Sequence, residues 1–131
     1  MQLHAESPIA EKALDARLPM HRGLYYGGAW HDSVGGRQAS VVSPSTGDSL
    51  GTTADASSED VDRAVKAARA AFALWRDTPA QDRARAIRAA SVILRANAEE
   101  LAYLEALDTG NPLQAMLFDV GISADYMDYF A

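Results

Sequence analysis

The chain carries few residues able to do chemistry, and the type it lacks matters as much as those it has. There is no cysteine among its 131 residues. Thiolate nucleophiles, thiolate metal sites and disulfides are therefore excluded from this stretch. His4, His21 and His31 show no metal-ligand spacing and read as exposed histidines. Glu99, Glu100 and Glu105 resemble a carboxylate pair for acid–base work, but on a helix they make a solvated face. Gly23, Gly27, Gly28, Gly35 and Gly36 do not follow the strand–Gly-x-Gly-x-x-Gly–helix order of a phosphate cradle. Asp108 stands out. It precedes Thr109-Gly110 at a predicted helix end, where the dipole is already negative and a carboxylate is unfavourable. That placement asks for a compensating cation or a set of donors. An Asx-type bond to its own turn is the simpler alternative.

The elements that must position these residues follow from periodicity. Residues 1–22 mix charge with short apolar pieces around Pro8 and Pro19 and read as an arm, with a helical turn around Ala10 to Leu18. Residues 24–54 read as a β-hairpin region. Its aromatic-rich first strand contains Leu24, Tyr25, Tyr26, Ala29 and Trp30. Gly35-Gly36 makes a turn, and Ala39 to Val42 form the second strand, so the pair predicts a hairpin with a loop longer than two residues. Ser43 to Asp48 is a further turn, and a short strand follows over Ser49 to Ala54.

Residues 58–131 read as about four helices. Val61, Val65, Ala68, Phe72 and Trp75 form one face of the first, with Ser57 and Asp60 as a capping box. Thr78, Pro79 and Gln81 predict the start of the second, whose stripe is Ala84, Ile87, Ala90 and Leu94. Asn97 and Glu100 predict the start of a third carrying Leu101, Leu104 and Leu107. Gly110 suits a left-handed cap, and Pro112 opens the last helix. That last helix has two apolar faces. One holds Leu113, Met116, Leu117, Val120, Ala124 and Met127; the other holds Phe118, Ile122, Tyr126 and Tyr129. A helix apolar on two sides is buried or lines a cavity.

Composition bounds the function. An apolar fraction of 48% with 23% charged residues suits a globular chain. A net charge of −6 disfavours nonspecific nucleic-acid binding, and no apolar run approaches the ~20 residues that span a bilayer. Absence of cysteine fits a reducing, cytoplasmic setting. All lysines and arginines lie at or before Arg95, and the acidic excess follows it. An independent domain could carry such an end; so could a chain whose basic partners lie elsewhere.

Several blocks, taken in order, resemble the aldehyde dehydrogenase superfamily. They are LYYGGAW (Leu24 to Trp30), SPSTGD (Ser43 to Asp48), DVDRAVKAARAAF (Asp60 to Phe72) with Trp75, LDTGNP (Leu107 to Pro112), and the ending Tyr129-Phe130-Ala131. Ser43 stands where that family usually has Asn, Asp48 where it has Glu, and Asn111 where Lys is common. The resemblance implies an α/β parent fold, with residues 23–131 as the N-terminal part of its nucleotide-binding domain. It implies oxidation of a small-molecule aldehyde to a carboxylic acid with NAD or NADP, by a homodimer or homotetramer. Its catalytic cysteine, glutamate and oxyanion-binding asparagine come later in the chain, so these 131 residues alone are expected to bind no cofactor and to be inactive. It further implies that Phe118 and Ile122 line a substrate tunnel. Asp108, with the carbonyls of Val41 and Val42, would hold a structural monovalent cation. The competing reading is a stand-alone helical interaction protein that docks partners on its acidic, aromatic last helix.

Overall fold

The computed structural model describes residues 18–131. The expected helical turn from Ala10 onward, and most of the arm, lie outside the described residues. Strand β1 (Leu24–Tyr26) pairs antiparallel with β2 (Ala29–His31), matching Leu24 to His31 and Tyr26 to Ala29. Gly27 and Gly28 have φ of 61° and 82°. Both central residues of a tight type I′ turn need positive φ, so the aromatic run folds back on itself. The expected pairing of this run with Ala39 to Val42 is therefore corrected. Strand β3 (Gln38–Val42) pairs instead with β4 (Ser49–Ala54), with a bulge between Val41 and Val42. Gly35-Gly36 belongs to a single 3₁₀ turn between the two hairpins, not to a hairpin loop.

The Ser43–Asp48 turn closes the second hairpin. The Ser43 N–H donates to the Asp48 carbonyl at 2.9 Å, and the Gly47 N–H to the Ser43 carbonyl at 2.8 Å. The Ser43 hydroxyl is buried without a hydrogen-bond partner. Two-stranded sheets are marginal alone, so each hairpin needs support. Asp60 supplies it at one point: its carboxylate is buried and accepts from the Val34 N–H at 3.0 Å, tying the segment between the hairpins to a helix start.

Four helices follow: α1 (Ser58–Asp77), α2 (Ala80–Ala96), α3 (Ala98–Thr109) and α4 (Leu113–Phe130). Both halves of the Ser57–Asp60 capping box are formed. Thr78 and Asn97, read as the starts of the next two helices, give α2 and α3 no side-chain cap. Thr78 turns back to close α1, its hydroxyl donating to the Leu74 carbonyl at 2.7 Å, and Pro79 caps α2. Asn97 likewise donates from Nδ2 to the Ile93 carbonyl of α2 at 2.8 Å, so its side chain caps nothing on α3. Between two helices joined by one or two residues, a short polar side chain can serve the open carbonyls behind it as readily as the N–H groups ahead.

Helix α4 lies across α2 and α3. The core is Ala102, Met116 and Val120, flanked by Leu94, Ala98, Ala106 and Leu117. The α2 stripe of Ala84, Ile87, Ala90 and Leu94 faces inward, with fully buried Ser91 beside it. On α3 the inward positions are Ala98, Ala102 and Ala106 rather than the three leucines. Small side chains let helix backbones approach closely, which moves the leucines to the flank. The apolar face of α1 forms as expected, yet Val61, Val65, Phe72 and Trp75 are all exposed among the described residues, Phe72 at 60%.

Candidate functional site

The end of α3 meets the second hairpin. Gly110 has φ 76° and donates its N–H to the Ala106 carbonyl at 3.0 Å, which ends the helix. A Cβ on Gly110 would sit 3.1 Å from both Pro44 Cγ and Ser45 Oγ. The Leu107 to Pro112 block and the Ser43 to Asp48 block, well separated along the chain, are thus packed together in space. Pro112 stands at the N-cap of α4 with φ −59°.

Beside this junction is a cavity of about 210 Å³ between the hairpin and α3. Val41, Leu50, Leu104, Leu107 and Asp108 line it, as do His21 and Arg22. The fold therefore brings Val41 and Asp108 to one cavity, while Val42 is not among the lining residues. Helix α3 has no basic residue in its last turn. Arg22 lines the same cavity and donates from Nη1 to the Leu50 carbonyl at 2.9 Å, while Asp108 is exposed and pairs with no basic side chain among the described residues. The sequence reading missed Arg22. The available signal was Gly51, an isolated glycine inside a strand, which marks a close approach.

The two faces of α4 differ as the periodicity predicts at their centres. Met116, Val120 and Ala124 are buried, Val120 at 6% exposure, while Phe118 is 67% exposed. Tyr126, Tyr129 and Phe130 are exposed with it. Ile122 is half-buried, like Leu117, and so does not separate from the inner face. Leu113, expected on the inner face, is exposed because it opens the helix ahead of the core.

A charge network joins α2 to α4. The Ser91 hydroxyl donates to Asp128 Oδ1 at 2.5 Å, and Arg95 reaches both Asp125 at 2.6 Å and Asp128 at 2.8 Å. The Ser91 hydrogen bond, aided by Arg95 and opposed by burial, holds the Asp128 carboxyl below its usual range. Asp60 is likewise lowered, first by the Ser57 backbone N–H, with burial opposing. Two of the acids after Arg95 thus find their basic partner inside the chain. Of the described histidines, His21 is exposed and His31 half-buried. His21 stacks on Trp30 with centroids 5.1 Å apart, and His31 stacks on Tyr26 at 4.0 Å with Nε2 3.1 Å from the Tyr26 carbonyl oxygen. Among the described residues no three His, Cys, Asp or Glu side chains cluster to hold a metal ion. No helix there is long and apolar enough to cross a membrane.

Comparison with known proteins agrees with this arrangement. The profile of the aldehyde dehydrogenase family matches residues 30–131. The chain is 42% identical over 118 residues to the aldehyde dehydrogenase tropH of Talaromyces stipitatus, covering 90% of this chain and 23% of that protein. It superimposes on HpcC from Thermus thermophilus with a TM-score of 0.84 and 30% identity, covering 91% of this chain and 23% of the other. A structure of PnpE in complex with nicotinamide adenine dinucleotide gives 0.81 and 38%, covering 85% and 23%. The chain belongs to the aldehyde dehydrogenase family. It spans about 23% of the length of these relatives and corresponds to their N-terminal portion.

Proposed function

We propose that this chain is the N-terminal part of an NAD- or NADP-dependent aldehyde dehydrogenase that oxidises a small-molecule aldehyde to a carboxylic acid as a homodimer or homotetramer. The match of residues 30–131 to the family carries this reading. Nicotinamide in relatives supports the cofactor: PnpE is in complex with NAD, and a betaine aldehyde dehydrogenase point mutant from Staphylococcus aureus with NAD⁺. When bound, the dinucleotide would accept the hydride. This chain holds no glycine-rich cradle for it, so no residue here is assigned to cofactor. Within this reading Phe118 and Ile122 contribute to the substrate tunnel, and the exposure of Phe118 supports its part.

The test is to assay the intact protein with a panel of aldehydes and either dinucleotide, following reduced nicotinamide. Turnover is expected for the intact protein. None is expected for the 131-residue chain alone, which has no thiol to attack the aldehyde. An intact protein inert toward every aldehyde, or a purified short chain that turns over, would sink the respective half of the proposal.

A further inference from the structure

Along α4, Met116, Val120, Ala124 and Asp128 fall four residues apart and so on one face. The first three are buried, and the row ends on a carboxylate that meets α2. There Asp128 Oδ1 accepts from the hydroxyl of fully buried Ser91 at 2.5 Å. Arg95, one turn further along α2, reaches Asp128 Oδ2 at 2.8 Å and Asp125 Oδ1 at 2.6 Å. Neither partner needs the other for local reasons. The Ser91 hydroxyl also lies 2.9 Å from the Arg88 carbonyl of its own helix, to which it can turn its single hydrogen. Asp128 stands in the last turn of α4, which has no basic residue and where the helix dipole disfavours a carboxylate.

What the bond does supply is direction. The apolar contacts of the row are non-directional, and Met116 is an adaptable side chain. A hydrogen bond holds its geometry. Phe118 stands two residues out of step with the row, exposed on the opposite side of α4. A turn of the helix by ~20° would carry a side chain ~5–6 Å from the axis by about 2 Å. We propose that Ser91 and Asp128, with Arg95 orienting the carboxylate, set the rotation of α4 and are positioning residues for Phe118. This rests on the reading of Phe118 as a wall of the substrate tunnel.

The test uses the intact protein with an aromatic and a short aliphatic aldehyde. Ser91→Ala and Asp128→Ala are each expected to change the ratio of kcat/KM between the two by about 2- to 30-fold, the scale on which a remote change of packing modulates a site. The change should enter through KM, with the dinucleotide Kd unmoved. A merely structural role would lower kcat alike for both aldehydes and leave KM in place. Asp128→Asn, which can still bond the Ser91 hydroxyl, should stay closer to the wild-type ratio than Asp128→Ala. In a Phe118→Ala background Ser91→Ala should leave the ratio alone, because it acts through that ring. Equal losses for both aldehydes, or the same shift with and without Phe118, overturn the proposal; if Ser91→Ala does not fold, the partly exposed Asp128 decides. A para-fluorophenylalanine in place of Phe118 reports without turnover, and its fluorine resonance should move in folded Ser91→Ala protein. An unmoved resonance overturns the clamp, whereas an inert protein with a moved resonance sinks only the dehydrogenase reading.

Discussion

At the scale of single residues, the junction of α3 with the Ser43–Asp48 turn rests on what glycine permits. Gly110 is held at φ 76° and lies against Pro44 and Ser45 at once. Replacing it with alanine carries two costs, a left-handed backbone bearing a Cβ and a 3.1 Å approach to a proline ring and a hydroxyl. The first alone is about 1 kcal/mol, so Gly110→Ala is expected to destabilise by at least that much in thermal melting of the intact protein. Asparagine separates the two costs, since it tolerates the left-handed region better than alanine. If backbone conformation were the whole effect, Gly110→Asn would recover much of the loss. Contact with Pro44 and Ser45 predicts that it does not, and an asparagine variant melting close to wild type would remove the packing part of the account.

At the scale of elements, polar side chains fix how the helices start and cross. Asp60 and Asp128 both have carboxyls lowered in the folded state, by the Ser57 backbone N–H and by the Ser91 hydroxyl respectively. A lowered folded pKa contributes stability that is present above the unfolded value of ~3.9 and is lost as pH falls through the folded value. Asp128→Asn should therefore melt below wild type at neutral pH, and the gap should close on acidification; a gap that widens toward low pH would contradict the assignment. Much at this scale was legible in the sequence. The Ser57–Asp60 box, the α2 stripe, the Gly110 cap and the Pro112 start all follow from local rules that no tertiary contact overrides. The misses share a cause: a local signal with two outlets. The hairpin turn was read at Gly35-Gly36, whereas Gly27-Gly28, read as part of a strand, fold the aromatic run on itself. Thr78 and Asn97 could cap the helix ahead or the helix behind. On α3 the leucines carried the apolar signal, but the closeness of α4 put the alanines inward. Asp108 was legible because a carboxylate at a helix end is out of place. Arg22 was not, because it precedes every periodic element and reaches the cavity through tertiary packing at Gly51.

At the scale of the whole molecule, apolar surface is left open on two elements. Helix α1 shows Val61, Val65, Phe72 and Trp75, and α4 shows Phe118, Tyr126, Tyr129 and Phe130. Open apolar surface of this extent marks an interaction or ligand site, and relatives of the same family are much longer than the chain, which covers 23% of them. The two faces make different demands. The α1 stripe is a single row of the kind that packs on another element. On α4 the row through Met116, Val120 and Ala124 is already satisfied by α2 and α3, so Phe118, on the other side, is free to meet a ligand. If it lines the tunnel of the proposed dehydrogenase, Phe118→Ala in the intact enzyme enlarges the passage at one point. One pocket contact is worth ~1–3 kcal/mol of discrimination, so the ratio of kcat/KM for a bulky over a small aldehyde is expected to shift by roughly 10–200-fold. The dinucleotide Kd should hold, because no residue of this helix is assigned to cofactor. Ile122, half-buried beside the core, should shift the ratio less and stability more when cut to alanine. Equal losses of kcat/KM for every aldehyde, or a weakened dinucleotide, would mean that Phe118 only packs against the rest of the protein, and the tunnel assignment would fall.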